Sequence, residues 1–214
     1  MSAIIYPPPI DQFLSLGEPG HQNWRDYVSM GIGNEHIPEL IRMAGDDGLN
    51  DADGTSPLVW APLHAWRALA QLRAEQAIDP LLGLLQRVDD QDDDWVNEDM
   101  PQVFARIGPA VVDPLAAYLG DPAHGLYARV CAAMSLCETG RRTAGVRRAC
   151  VATVTNQLER FAENVPTLNG FLVSALVDLG AKESARVIQS AFKARRVVTG
   201  VRGDWVDVRE ALGV

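Results

Sequence analysis

Four histidines, three cysteines, five tryptophans and two dense acidic runs are the residues of this chain whose types could carry chemistry. His21, His36, His64 and His124 stand in the contexts HQ, HI, HA and HG. A transition-metal site needs imidazoles and thiolates at ligand spacing, as in HExxH or paired CxxC, and neither pattern occurs. Cys131, Cys137 and Cys150 are odd in number and lie within apolar helical pattern, so they read as buried thiols rather than a secreted disulfide framework. The runs DDQDDDWVNED (89–99) and DDGLNDADG (46–54) would attract a hard cation, but neither has the ligand order and glycine of an EF-hand. They read either as solvated loops and helix starts or as contacts to an ion or a basic partner. No Gly-rich phosphate loop is present, so no catalytic residue, metal or cofactor is assigned.

Two aromatic pairs remain. Trp60 with His64, and Trp95 with Asp99, are each spaced one helical turn apart, so each pair shares a helix face. Arg141, Arg142, Arg147 and Arg148 flank a turn and form a candidate basic patch.

The elements that must hold these residues repeat. Segments beginning IGNEHIPELIRMA at Ile32, LRAEQAIDPLLGLL at Leu72, IGPAVVDPLAAYL at Ile107 and LGAKESARVIQSAF at Leu179 each open on an Ile or Leu that would end a helix. Their starts are 40, 35 and 72 residues apart, the last close to two periods. Gly33, Gly108 and Gly180 suit the left-handed turn that ends a helix, and Pro38, Pro80 and Pro114 suit the first turn of the next. Apolar sets such as Ile78, Leu81, Leu82 and Leu85 follow at helical spacing. The missing unit falls between Leu136 and Glu163, where the turn is basic and the second helix long.

These features predict an all-α chain: an α-α superhelix of about five antiparallel helix pairs at 22–44, 57–87, 96–119, 125–163 and 167–195 in one domain, 1–214. Short capping helices are expected at 8–17 and 204–212. Aligning first helices on Leu72, Ile107, Leu136 and Leu179 puts Trp60 level with Trp95 and His64 level with Asp99, with Glu98 and Tyr127 in a common neighbouring register. The patch reads either as staples of helix starts or as a recognition surface, since Trp and Tyr are enriched at binding hot spots.

The segments LRAEQAIDPLLGLL and ARVCAAMSL resemble the HEAT-like repeats first associated with phycobilisome lyases, and the likeness covers nearly all of residues 22–195. YPPPI, EHIPELIRMA, WAPLHAWRALAQL, LERFAEN and LNGFLVSAL look like a group of bacterial HEAT-repeat proteins of unassigned function. The resemblance implies a HEAT-like solenoid. Deoxyhypusine hydroxylase, a HEAT-like iron enzyme, carries His-Glu pairs that this sequence lacks.

Charge bounds the partners. The net charge is −9, but residues 1–125 hold 6 Lys and Arg against 20 Asp and Glu, and residues 126–214 hold 13 against 8. Phosphate binding needs clustered cations, so a nucleic-acid groove along the whole chain is disfavoured. No stretch reaches the roughly 18 residues of a membrane helix, and the start has no basic, apolar leader, so a cytoplasmic location is expected. The expected function is a non-enzymatic protein or peptide scaffold. An accessory protein holding a flat ligand such as a tetrapyrrole is the alternative, and self-association through the acidic and basic halves is a further expectation.

Overall fold

The computed structural model describes residues 5–20 and 23–214, and among them it has twelve α-helices and no strand. The chain divides into two compact units, Met1–Leu84 and Leu85–Val214.

In the first unit, α1 is Ile37–Ala44, α2 Asp47–Asn50, α3 Ala61–Gln71 and α4 Ile78–Leu84, with a 3-10 turn at Ile10–Ser15 where the N-terminal cap was expected. The apolar stripe of α1, Ile37, Leu40 and Met43, is buried, and α1 packs on α3. Beside them Phe13, Tyr27 and His64 form a buried ring cluster, with Phe13 and Tyr27 centroids 5.2 Å apart.

In the second unit, α5 is Arg87–Gln91, α6 Asp94–Ile107, α7 Val112–Gly120, α8 Leu126–Arg142, α9 Arg147–Glu159, α10 Pro166–Asp178, α11 Ala185–Lys193 and α12 Trp205–Leu212. Helix α8 contacts both α6 and α10, and α9 contacts both α7 and α11. The core between these two rows includes Phe104, Leu115, Leu136, Leu158, Leu172 and Ile188, all fully buried. Small residues on α8, namely Ala128, Ala132 and Ala133, are buried and allow its close packing with α6.

One local feature recurs in both units. Three-residue 3-10 turns at Asn34–His36, Glu75–Ala77, Pro109–Val111, Ala144–Val146 and Lys182–Ser184 run directly into α1, α4, α7, α9 and α11. Each is closed by the same bond, from the N–H of the turn's third residue to the carbonyl of the residue before it. The five are His36 to Gly33 (3.0 Å), Ala77 to Ala74 (3.0 Å), Val111 to Gly108 (3.3 Å), Val146 to Thr143 (3.0 Å) and Ser184 to Ala181 (3.0 Å).

Three expectations are corrected. The pair at 22–44 has only its second helix. Residues 25–32 form a turn in which Tyr27 N–H donates to Gln71 Oε1 and the Gln71 amide donates to the Arg25 carbonyl. That side chain on α3 thus supplies hydrogen bonds that a helix would have made with itself. Leu136 does not end a helix, because α8 continues to Arg142. The hydroxyls of Ser135 and Thr139 bond back to the carbonyls of Cys131 and Ser135, so neither competes with the helix. Gly33 is extended, at φ −126°, whereas Gly108 and Gly180 do take positive φ. Pro38 lies in the first turn of α1, and Pro80 and Pro114 are the third residues of α4 and α7.

Candidate functional site

Trp60 and His64 belong to the first unit, whereas Trp95, Glu98, Asp99 and Tyr127 belong to the second. Trp60 is half-buried at the residue preceding α3, and His64 lies one turn into that helix with no exposed surface. His64 Nε2–H donates to the Gly17 carbonyl at 2.9 Å, since a carbonyl only accepts, and Nδ1 lies 2.7 Å from the Tyr27 hydroxyl. The imidazole therefore ties the segments holding Gly17 and Tyr27 to α3 and presents nothing to a partner at the surface.

In the second unit, Trp95 is half-buried and Glu98 exposed near the start of α6, whereas Asp99 is buried. Tyr127, the second residue of α8, is 46% exposed, which makes it the most accessible aromatic of the expected set. The register that joined Glu98 to Tyr127 is corrected together with Leu136. Cys131 Sγ lies 3.9 Å from the Val96 carbonyl and 4.0 Å from that of Asn97, so Cys131 is the residue level with this turn of α6. Tyr127 stands one turn earlier.

The acidic runs act locally. Asp46 accepts from the N–H groups of Gly48 and Leu49 at the start of α2 and from the Tyr6 hydroxyl at 2.7 Å. Asp93 accepts from Val96 at the start of α6, and Asp89 accepts from Tyr127 and Ala128 at the start of α8. Carboxylates satisfy unpaired helix-start N–H groups and complement the positive helix end. Among the described residues no group of three or more His, Cys, Asp and Glu is arranged to hold a metal ion. His21 lies outside those residues. No helix among them is long and apolar enough to cross a membrane.

No family model, curated protein or solved structure matches this chain.

The arginine cluster divides by role. Arg147 Nε donates to the Leu179 carbonyl and one terminal nitrogen donates to that of Gly180, completing the end of α10, while the other terminal nitrogen meets Glu183 at 3.2 Å. The Glu183 N–H and this guanidinium hold the Glu183 carboxyl below its ordinary range. Arg141 pairs with Glu138 across one helical turn. Arg142 and Arg148 are exposed and make no ion pair among the described residues.

Several features had no clear sequence signal. Tyr118 stacks on His124 with centroids 3.6 Å apart, and its buried hydroxyl has no hydrogen-bond partner among the described residues. Burial, with the nearby Cys131 thiol and the Asp89 and Asp90 carboxylates, pushes the phenol up to about 12. A buried amide network joins Gln157, Asn164 and Asn169, and Asn169 also donates to the carbonyls of Phe161 and Arg196. Phe192 and Trp205 line a groove between α11 and α12. Tyr118 with His124, and Gln157 with Asn164, meet across the turns that follow α7 and α9, where no residue pattern announces the contact.

Proposed function

We propose that the chain is a non-enzymatic scaffold that binds a protein or peptide partner, built as a HEAT-like α-solenoid. The observation that carries this reading is the outer side of α9. It is left uncovered in a row of second helices, α7, α9 and α11, with an open groove between each neighbouring pair. An uncovered helix row with grooves between its members suits surface complementarity over an extended contact. The five-fold recurrence of one closing turn before a second helix supports the repeat reading. Tyr127 and the half-buried Trp95 supply aromatic groups of the kind that anchor interfaces.

The test is affinity capture from the host extract, followed by reconstitution with the purified partner and cross-link mapping. We expect one or a few proteins to be retained and to rebind in purified form. The Tyr127→Ala variant should weaken that binding without altering the helical melting curve. Retention no better than that of a resin carrying an unrelated helical protein would sink the scaffold reading.

A further inference from the structure

The groove between α7 and α9, about 270 Å³, has Ala116 and Leu119 on one wall and Thr153 and Asn156 on the other. The groove between α9 and α11, about 380 Å³, is lined by Arg186, by the acids Glu159 and Glu183, and by the hydroxyls of Thr155, Ser184 and Ser190. Helix α9 is the ridge between them. Its Val151, Val154 and Leu158 are buried, while Arg148, Ala152 and Glu159 follow one another at helical spacing along its exposed side. Grooves of this size admit one or two side chains each, and a folded element does not fit inside them.

The charges on this row do not balance locally. Glu183 and Glu163 are matched by Arg147 and Arg160. Arg148, Arg186 and Lys193 are exposed and have no acidic partner among the described residues. On the same row only Asp113 and Glu159 are acids without a cationic partner there. The uncommitted cations therefore outnumber the acids, three to two, and all three lie in residues 126–214, the stretch whose net charge is positive. A phosphate backbone is the poorer match: it carries a charge at every unit and cannot avoid Asp113, Glu159, Glu163 and Glu183, whereas a peptide can set carboxylates beside Arg148 and Arg186 and neutral side chains elsewhere.

We infer that the α7–α9–α11 face docks an acidic, extended segment of a partner protein. Its backbone lies over the Ala152 ridge, with side chains in the two grooves and carboxylates toward Arg148 and Arg186. The extended backbone keeps unpaired N–H and C=O groups, and Thr153 and Asn156 are the neutral polar side chains beside the ridge that meet them. This inference rests on the scaffold reading and adds the partner's chemistry.

Ala152 provides the test, because it is exposed in mid-helix and both Glu and Lys are good helix formers. The probe is a fluorescein-labelled peptide of Glu alternating with Ser and Ala, and binding to the full-length chain is followed by anisotropy at low salt. Ala152→Lys should tighten binding and Ala152→Glu should weaken it, the two differing by about tenfold. Arg148→Glu with Arg186→Glu should weaken it further, and a probe with Gln for Glu should not bind. Circular dichroism confirms that each variant is folded. Equal affinity for Ala152→Lys and Ala152→Glu, no binding by the wild type, or tighter binding of a single-stranded oligonucleotide overturns the inference. If the probe fails while a specific partner is still retained and cross-links elsewhere, the acidic-segment inference falls alone. Loss of both removes the scaffold reading as well.

Discussion

At the scale of single residues, burial decides which groups are chemically active. Cys131, Cys137 and Cys150 are all free and buried, as their apolar helical setting predicts. Burial pushes their thiols up, to about 12 for Cys131 and Cys137 and about 11 for Cys150. Cys131 has a packing role that the sequence does not announce. Pro101 lies inside α6 and lacks the N–H that would bond to the Asn97 carbonyl four residues back, and the Cys131 sulfur rests against that carbonyl. Because the thiolate is the reactive form, a thiol pushed to about 12 is ionised in about one molecule in ten thousand at pH 8. Native protein should therefore react with an aromatic disulfide reagent at least about a hundredfold more slowly than protein unfolded in guanidinium. Rapid labelling of even one thiol in the folded state would show that its helix opens locally. His64 illustrates the same principle from the polar side. Its spacing from Trp60 suggests a surface pair, but its hydrogen bonds to Gly17 and Tyr27 belong to the interior of the first unit.

At the scale of elements, glycine serves two purposes that spacing alone does not separate. Gly83 is exposed within α4, and a Cβ there would meet nothing within 4 Å. Gly170 lies in α10, where a Cβ would come within 3.0 Å of the Val198 carbonyl oxygen and 3.1 Å of Val201. Gly83→Ala should stabilise the protein by up to about 1 kcal/mol through helix propensity. At Gly170 the same gain is opposed by overpacking, of order 1 to 3 kcal/mol, so Gly170→Ala should be neutral or destabilising. Denaturant titration of the two variants beside the wild type checks the opposite signs, and equal stabilisation by both would mean that the 198–201 segment yields freely. The same distinction explains how far the elements were legible. Helices α3, α4, α6, α7, α10 and α11 follow from apolar periodicity and from Pro or Gly near their ends. The end of α8 does not. Gly140 looks like a terminator, yet it sits inside the helix, where a Cβ would come within 2.8 Å of Leu179 and 3.1 Å of Cys150. The recurring turn needs no glycine at Ala74, Thr143 or Ala181, because one backbone hydrogen bond closes it in each case. The turn at residues 25–32 was beyond reach because its partner is Gln71, some 45 residues away. The α9 grooves were equally invisible, being made by α7, α9 and α11, which lie far apart in sequence.

At the scale of the whole chain, the structural boundary and the charge boundary do not coincide. Residues 1–84 hold 4 Lys and Arg against 11 Asp and Glu, residues 85–125 hold 2 against 9, and residues 126–214 hold 13 against 8. The second unit thus contains its own separation of charge, −7 followed by +5, which a division of the sequence into halves conceals. Two effects then compete when copies of the chain meet. The net charge of −9 repels over distances of a Debye length, whereas an acidic stretch facing the basic stretch of another copy attracts at contact. In about 10 mM salt the Debye length is about 30 Å, and both effects operate; in about 150 mM salt it is about 8 Å, and both fade. Because Arg148, Arg186 and Lys193 are exposed and without acidic partners among the described residues, we expect attraction to prevail at low salt. The weight-average sedimentation coefficient should then rise with protein concentration in about 10 mM salt and stay flat in about 150 mM salt. A coefficient that falls with concentration at low salt would show that net repulsion dominates. The Arg148→Glu, Arg186→Glu double variant separates a local cause from a global one. It makes the chain more acidic by four charges at two exposed sites, and it should abolish the low-salt rise if that row of helices is what another copy contacts. A rise that survives in the double variant would assign the attraction to another part of the basic stretch, where Arg195, Arg202 and Arg209 lie.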